Sequence, residues 1–117
     1  MPRQQPGEPY SRVSLEEAKQ MLEQGGAAVI DVRRPDEYAA GHVKKALFIP
    51  VDDILMRMDE LPEKGKLLFI CAAGVRSGLA CEMAAAMGVP SERLYNIEAG
   101  TPSWVEKGYP TSFGNEP

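Results

Sequence analysis

Apolar positions change their spacing several times along the chain, and each change marks an element. Between Ser14 and Glu23 they recur with helical period: Leu15, Ala18, Met21 and Leu22 form one stripe. Ser14 followed by Glu17 is a capping box that opens this helix, expected over Leu15 to Glu23, and Gly25-Gly26 closes it. "AAVIDV" is short, continuous and β-branched, the pattern of a buried strand. "ALFIPV" predicts a second strand stopped near Pro50, and Asp52 or Asp53 a cap for a short helix through Met58. "KLLFIC" is the strongest strand signal. An alanine-rich helix is expected from Ser77 to Met87, closed by Gly88. "RLYNI" reads as a further strand, Pro102 to Lys107 as a last short helix, and "YSRV" as an edge strand.

Strands alternating with helices predict an α/β fold: an open, mostly parallel sheet with helices on both faces. Ligands of such sheets bind outside the carboxyl ends of the strands. Those ends carry Asp31, Pro50, Cys71 and Glu98, which the topology should gather at one edge.

A length of 117 residues fits one domain, with residues 10–110 as its body, 1–9 as a mobile arm and 111–117 as a tail. The net charge of −4 argues against nucleic acid or an anionic membrane as partner, so any anion site must be built locally. "MPRQQPGEPY" has no apolar core, which speaks against a signal peptide or a membrane span. A cytoplasmic, reducing location is the resulting expectation, with Cys71 and Cys81 as thiols. No CxxC occurs and His42 is the lone histidine, so no metal or organic cofactor is expected.

"CAAGVRSG", residues 71–78, carries the chemistry. Cys71 sits where a strand stops and a helix begins, and a helix N-terminus offers unpaired N–H groups and partial positive charge. Ala72, Ala73 and Gly74 are small enough to let successive amides turn inward as an anion nest, and Gly74 allows a positive φ. Ser77 either caps the helix or turns its hydroxyl to the loop. Arg76 adds the one formal positive charge in the loop. Lowering a thiol from about 8.5 to about 6.5 takes roughly 2.7 kcal/mol. A helix terminus supplies about 0.3–1 and at most about 2 kcal/mol, so the amides from Ala72 through Val75 to Ser77 and Arg76 must add the rest. Cys81, ten residues on, reads as a packed helix residue or else as a resolving thiol.

Four stretches in order, "VIDVRRPDEYAAGHV", "ALFIP", "LLFICAAGVRSGLA" and "LYNIEAGTPSWVEKGYP", resemble the single-domain rhodanese family of sulfurtransferases over about residues 10 to 110. The resemblance implies that Cys71 takes a sulfane sulfur from a donor such as thiosulfate. It would hold that sulfur as a persulfide and pass it to cyanide, a small thiol or a protein thiol. A relay between proteins that bypasses thiosulfate, and a silent binding module, are the alternatives. The uncharged loop positions Ala72, Ala73 and Val75 lean toward the relay. Cys71 to Arg76 is C-x4-R, one residue shorter than the C-x5-R loop of phosphatases and arsenate reductases, so its cradle suits one sulfur atom better than a tetrahedral phosphate. Lys45-Ala46 stands where the family often has Gly-Ala, and Ala99-Gly100 where it has Gly-Gly.

Asp31 and Arg33 are candidates for supporting roles: Asp31 as an orienting group or a structural hydrogen-bond acceptor, Arg33 as an anion contact or a partner of Asp36 or Glu37. His42 is expected in a turn and Trp104 in the core. Lys44 and Lys45 are expected to attract an acidic partner or simply to be solvated.

Overall fold

The computed structural model describes residues 2–117. Its elements run β1 (Ser11–Val13), α1 (Leu15–Gln24), β2 (Ala27–Asp31), α2 (Pro35–Ala39), β3 (His42–Val43), β4 (Leu47–Phe48), β5 (Lys66–Ile70), α3 (Val75–Ala86), β6 (Leu94–Ile97), α4 (Thr101–Glu106) and β7 (Thr111–Ser112). Five strands form one sheet in the order β1-β6-β5-β2-β4, and every pairing within it is parallel. β5 is central and wholly apolar after Lys66, because a strand covered on both faces has no solvent side to leave polar.

Side-chain alternation along β5 divides the core. Leu67, Phe69 and Cys71 face Ala80, Cys81 and Ala84 of α3, together with Ile54 and Leu61. Leu68 and Ile70 face Leu15, Ala18 and Met21 of α1 and Trp104 of α4. Helices therefore cover both faces, as the alternating pattern predicts. α1 carries the expected capping box: the Glu17 amide donates to Ser14 Oγ at 3.1 Å and the Ser14 amide to Glu17 Oε1 at 2.7 Å.

Three expectations need correction. The strand read from "ALFIPV" shrinks to Leu47–Phe48, and two 3-10 turns, Val51–Asp53 and Met58–Glu60, replace the short helix after it. Pro50 has no N–H to continue a ladder, and its carbonyl instead accepts the Asp53 amide at 2.8 Å. α2 was not anticipated; Pro35 starts it, and Glu37 accepts the Arg34 amide at 3.0 Å. α3 begins at Val75, so its N-cap is Gly74 and not Ser77. At the chain ends, described residues of the arm and the tail make specific contacts. Arg3 bridges Arg12 through paired amide and carbonyl bonds, and β7 pairs antiparallel with β3. Among the described residues no helix is long and apolar enough to cross a membrane.

Candidate active site

Cys71 follows the last residue of β5 and is 1% exposed. The chain then turns sharply. Gly74 adopts φ +88°, and its amide swings back to donate to Cys71 Sγ at 3.1 Å. A β-carbon at Gly74 would lie 2.9 Å from the Glu98 carbonyl, so both backbone angle and space require glycine there. α3 starts at the next residue, which places its N-terminal amides and partial positive charge beside the sulfur. Ser77, in the first turn of that helix and buried, puts Oγ 3.3 Å from Sγ. The hydroxyl thus faces the loop, the second of the two roles open to it.

Residues on and after β6 hold this loop from behind. Asn96 Nδ2 donates to the Gly74 carbonyl at 3.0 Å, while Asn96 Oδ1 accepts from Ser77 Oγ at 2.5 Å. The Thr101 amide donates to the Cys71 carbonyl at 2.9 Å. Gly100 passes so close that any β-carbon would overlap the Ala72 carbonyl. Asn96 was not singled out from the sequence, whereas Gly100 was noted as the second residue of the closing Ala99-Gly100. The available signal for Asn96 was one amide side chain inside the otherwise apolar strand "LYNI".

Burial pushes the Cys71 thiol up. The Ser77 hydroxyl and the amides of Ser77, Ala73 and Gly74 pull it down and prevail, leaving it below the ordinary cysteine value. Cys81 has no such donors. It is buried within α3, its Sγ contacts the Tyr95 carbonyl at 3.5 Å, and burial raises its thiol well above the ordinary value.

Arg76 does not stand free over the loop. Its guanidinium forms a two-point ion pair with Glu37 of α2, at 2.7 and 3.0 Å. That pair holds the Glu37 carboxyl at about 2, with the Arg76 hydrogen bonds as the main cause. Arg76 is raised chiefly by Glu37, with smaller attractions to Cys71 and Asp31. Most of its field is therefore neutralised locally, and the backbone amides dominate the nest.

Asp31 and Arg33 form a buried fork: Arg33 Nη2 reaches Asp31 Oδ2 at 2.7 Å and Nε reaches Oδ1 at 2.9 Å. Nη2 also donates to the Gly41 carbonyl at 2.8 Å, clasping the segment between β2 and β3. Arg33 is thus bound neither to Asp36 or Glu37 nor directed at the site. The residues are 0% and 5% exposed, and a substrate anion cannot reach them without breaking the pair. His42 is buried, stacked on Tyr38 at 3.6 Å and bonded to the Tyr38 carbonyl at 2.8 Å through Nδ1. Glu98 pairs with Arg3, and lies 3.9 Å from Arg12. Among the described residues no three His, Cys, Asp or Glu side chains are grouped as metal ligands would be.

The arrangement is a cysteine with a lowered pKa, a converging amide, and a helix start at the carboxyl edge of a parallel sheet. It can hold negative charge on sulfur and support covalent transfer through it. The family model described as "Rhodanese-like domain" matches residues 14–107. A protein named "Sulfurtransferase" from Allochromatium vinosum is 33% identical over 82 residues, which is 70% of this chain and 75% of that protein. The crystal structure of a rhodanese-related protein from Thermoplasma volcanium superposes with a TM-score of 0.75 at 28% identity, covering 86% of this chain and 96% of that one. A rhodanese-like domain protein from Staphylococcus aureus gives a TM-score of 0.71 at 30% identity, covering 80% and 89%.

Proposed function

The chain belongs to the rhodanese-like domain family, and from that premise we propose that it is a sulfurtransferase with Cys71 as the carrier. The Cys71 thiolate attacks the outer sulfur of a sulfane donor such as thiosulfate. A new S–S bond forms at Sγ as the donor's S–S bond breaks, and sulfite leaves with the bonding pair. An acceptor nucleophile (cyanide, a small thiol or a protein thiol) then attacks the terminal sulfur and returns the thiolate. The sulfur itself carries the transferred group, and the reading calls on no metal or organic cofactor. The observation that carries this reading is the Gly74 N–H on Cys71 Sγ at 3.1 Å, at the start of α3. The same amides from Ala72 to Ser77 would serve a persulfide anion.

Intact-mass analysis after incubation with thiosulfate tests it. The expected result is a gain of one sulfur atom that cyanide removes and that Cys71→Ser lacks. A chain that gains no sulfur from any donor is instead a binding module.

One observation favours a second reading, a relay that takes persulfide sulfur from another protein. The charge of Arg76 is countered by Glu37, and Ala72, Ala73 and Val75 are uncharged, so the loop offers a dianion little attraction. Loading by a cysteine-bound persulfide but not by thiosulfate would select the relay.

A further inference from the structure

A cleft of about 340 Å³ lies between α1, β2 and the turn after β3, away from the nucleophile. Val29, Val43 and Trp104, which line it, belong to the core on the α1 face, whereas Cys71 packs on the α3 face. It exists because β4 is short. β2 pairs with β5 along its whole length, but β4 covers only Ile30 and Asp31. The N-terminal half of β2, Ala27 to Val29, is left as one wall of the cleft.

The accessible floor is apolar, from Leu22, Ala27 and Ala28 over the buried Val29, Val43 and Trp104, and the rim carries Lys19, Lys44 and Lys45 with one carboxylate, Glu23. Lys19 is already engaged, 2.7 Å from Glu23 and over the Tyr109 ring. Lys44 and Lys45 are exposed, and neither ammonium is paired with a carboxylate among the described residues. Lys45 has φ +69°, the single positive φ outside glycine among the described residues. It occupies the third position of a turn closed by the Ala46 amide on the Val43 carbonyl at 3.0 Å. A left-handed third position is the place a type II turn gives to glycine. A lysine there holds a strained backbone at the rim of the cleft, and strain of this kind gathers at binding sites.

We propose that this cleft binds an organic monoanion with an apolar body, a carboxylate carrying an aliphatic or aromatic group. The body lies over Leu22, Ala27 and Ala28, with Trp104 beneath them, and the head group sits between Lys44 and Lys45. The volume is at the lower end of the about 300–1,000 Å³ of small-molecule sites, with the usual apolar lining and few polar groups. The site is independent of the sulfur chemistry at Cys71.

Trp104 is the sole tryptophan, so its fluorescence reports the cleft directly. The test titrates the full chain with octanoate, with octan-1-ol as the neutral match, and repeats the titrations by calorimetry. Octanoate is expected to give a saturable change, with octan-1-ol at least about tenfold weaker. The double variant Lys44→Gln/Lys45→Gly should weaken octanoate binding by about tenfold, equal to about 1.4 kcal/mol. Lys45→Gly alone should raise the unfolding temperature by a few degrees, because glycine removes the strain, so lost binding is separable from lost folding. The proposal is overturned if octanoate gives no saturable signal, if the alcohol binds as tightly, or if the double variant binds like the parent.

Discussion

Ser77 donates its single hydroxyl proton to Asn96, 2.5 Å away, while its oxygen lies 3.3 Å from Cys71 Sγ. The Asn96 amide is locked in this orientation because Nδ2 donates to the Gly74 carbonyl. One proton therefore faces two acceptors. A neutral thiol leaves it with Asn96, and negative charge on sulfur draws it over, since hydrogen bonds to charged groups are the stronger ones.

Ser77→Ala removes that donor. A hydrogen bond to a charged group contributes about 1.5 kcal/mol or more, roughly tenfold in thiolate population at a given pH. Alkylation of Cys71 near neutral pH should slow by about that factor. Asn96→Asp should slow it as well, through a fixed charge that retains the proton and repels the thiolate. Rates of iodoacetamide modification across a pH series check both; profiles identical to the parent's would remove the pair from control of the nucleophile.

Cys71 and Cys81 should separate cleanly. Cys71→Ser is expected to abolish sulfur loading, and Cys81→Ser to retain most of it, because Cys81 is buried, raised in pKa and without donors. Mass spectrometry of loaded chains decides this, and equal loss in both variants would give Cys81 a role in transfer.

The Arg76–Glu37 pair makes a pH-dependent contribution to stability. Glu37 has a folded pKa of about 2, below its unfolded value of 4.5. A depressed acid stabilises above the unfolded pKa and loses that contribution as pH falls through the folded one. Glu37→Gln should therefore cost about 1 kcal/mol at neutral pH, the partly solvated pair being screened. The difference from the parent should persist to about pH 5 and fade toward pH 2. Urea unfolding at a series of pH values measures it.

Arg33→Ala leaves the buried Asp31 with the residue-33 amide but without a counter-charge, which should destabilise by about 3–5 kcal/mol. Folded molecules of the variant should still load sulfur at the parental rate. Denaturant unfolding and single-turnover loading, taken together, distinguish this structural role from substrate binding, which would slow loading and leave stability intact.

Much of the fold was legible because period and punctuation agree: Ser14 with Glu17 opens α1, Gly25-Gly26 closes it, and the apolar run before Cys71 is the central strand. The carboxyl-edge rule selected Cys71 among four strand-end residues, and the structure sets it beside the start of α3. What stayed hidden depends on contacts between distant segments. Nearby charges suggested Asp36 or Glu37 for Arg33, but Glu37 turns to Arg76 and Arg33 folds back on Asp31. The anchoring by Asn96 and Gly100 spans more than twenty residues, beyond the reach of local pattern. β3 and β7, two residues each, are too short to show a period.

Every anchor behind the nucleophile loop comes from β6 or the segment that follows it, and β6 is also the strand that joins β1 to β5. During translation the cysteine leaves the ribosome before any of these arrive. The nascent chain thus carries its cysteine before Asn96, Gly100 and Thr101 can hold the loop, and the loop's geometry waits on β6 joining the sheet.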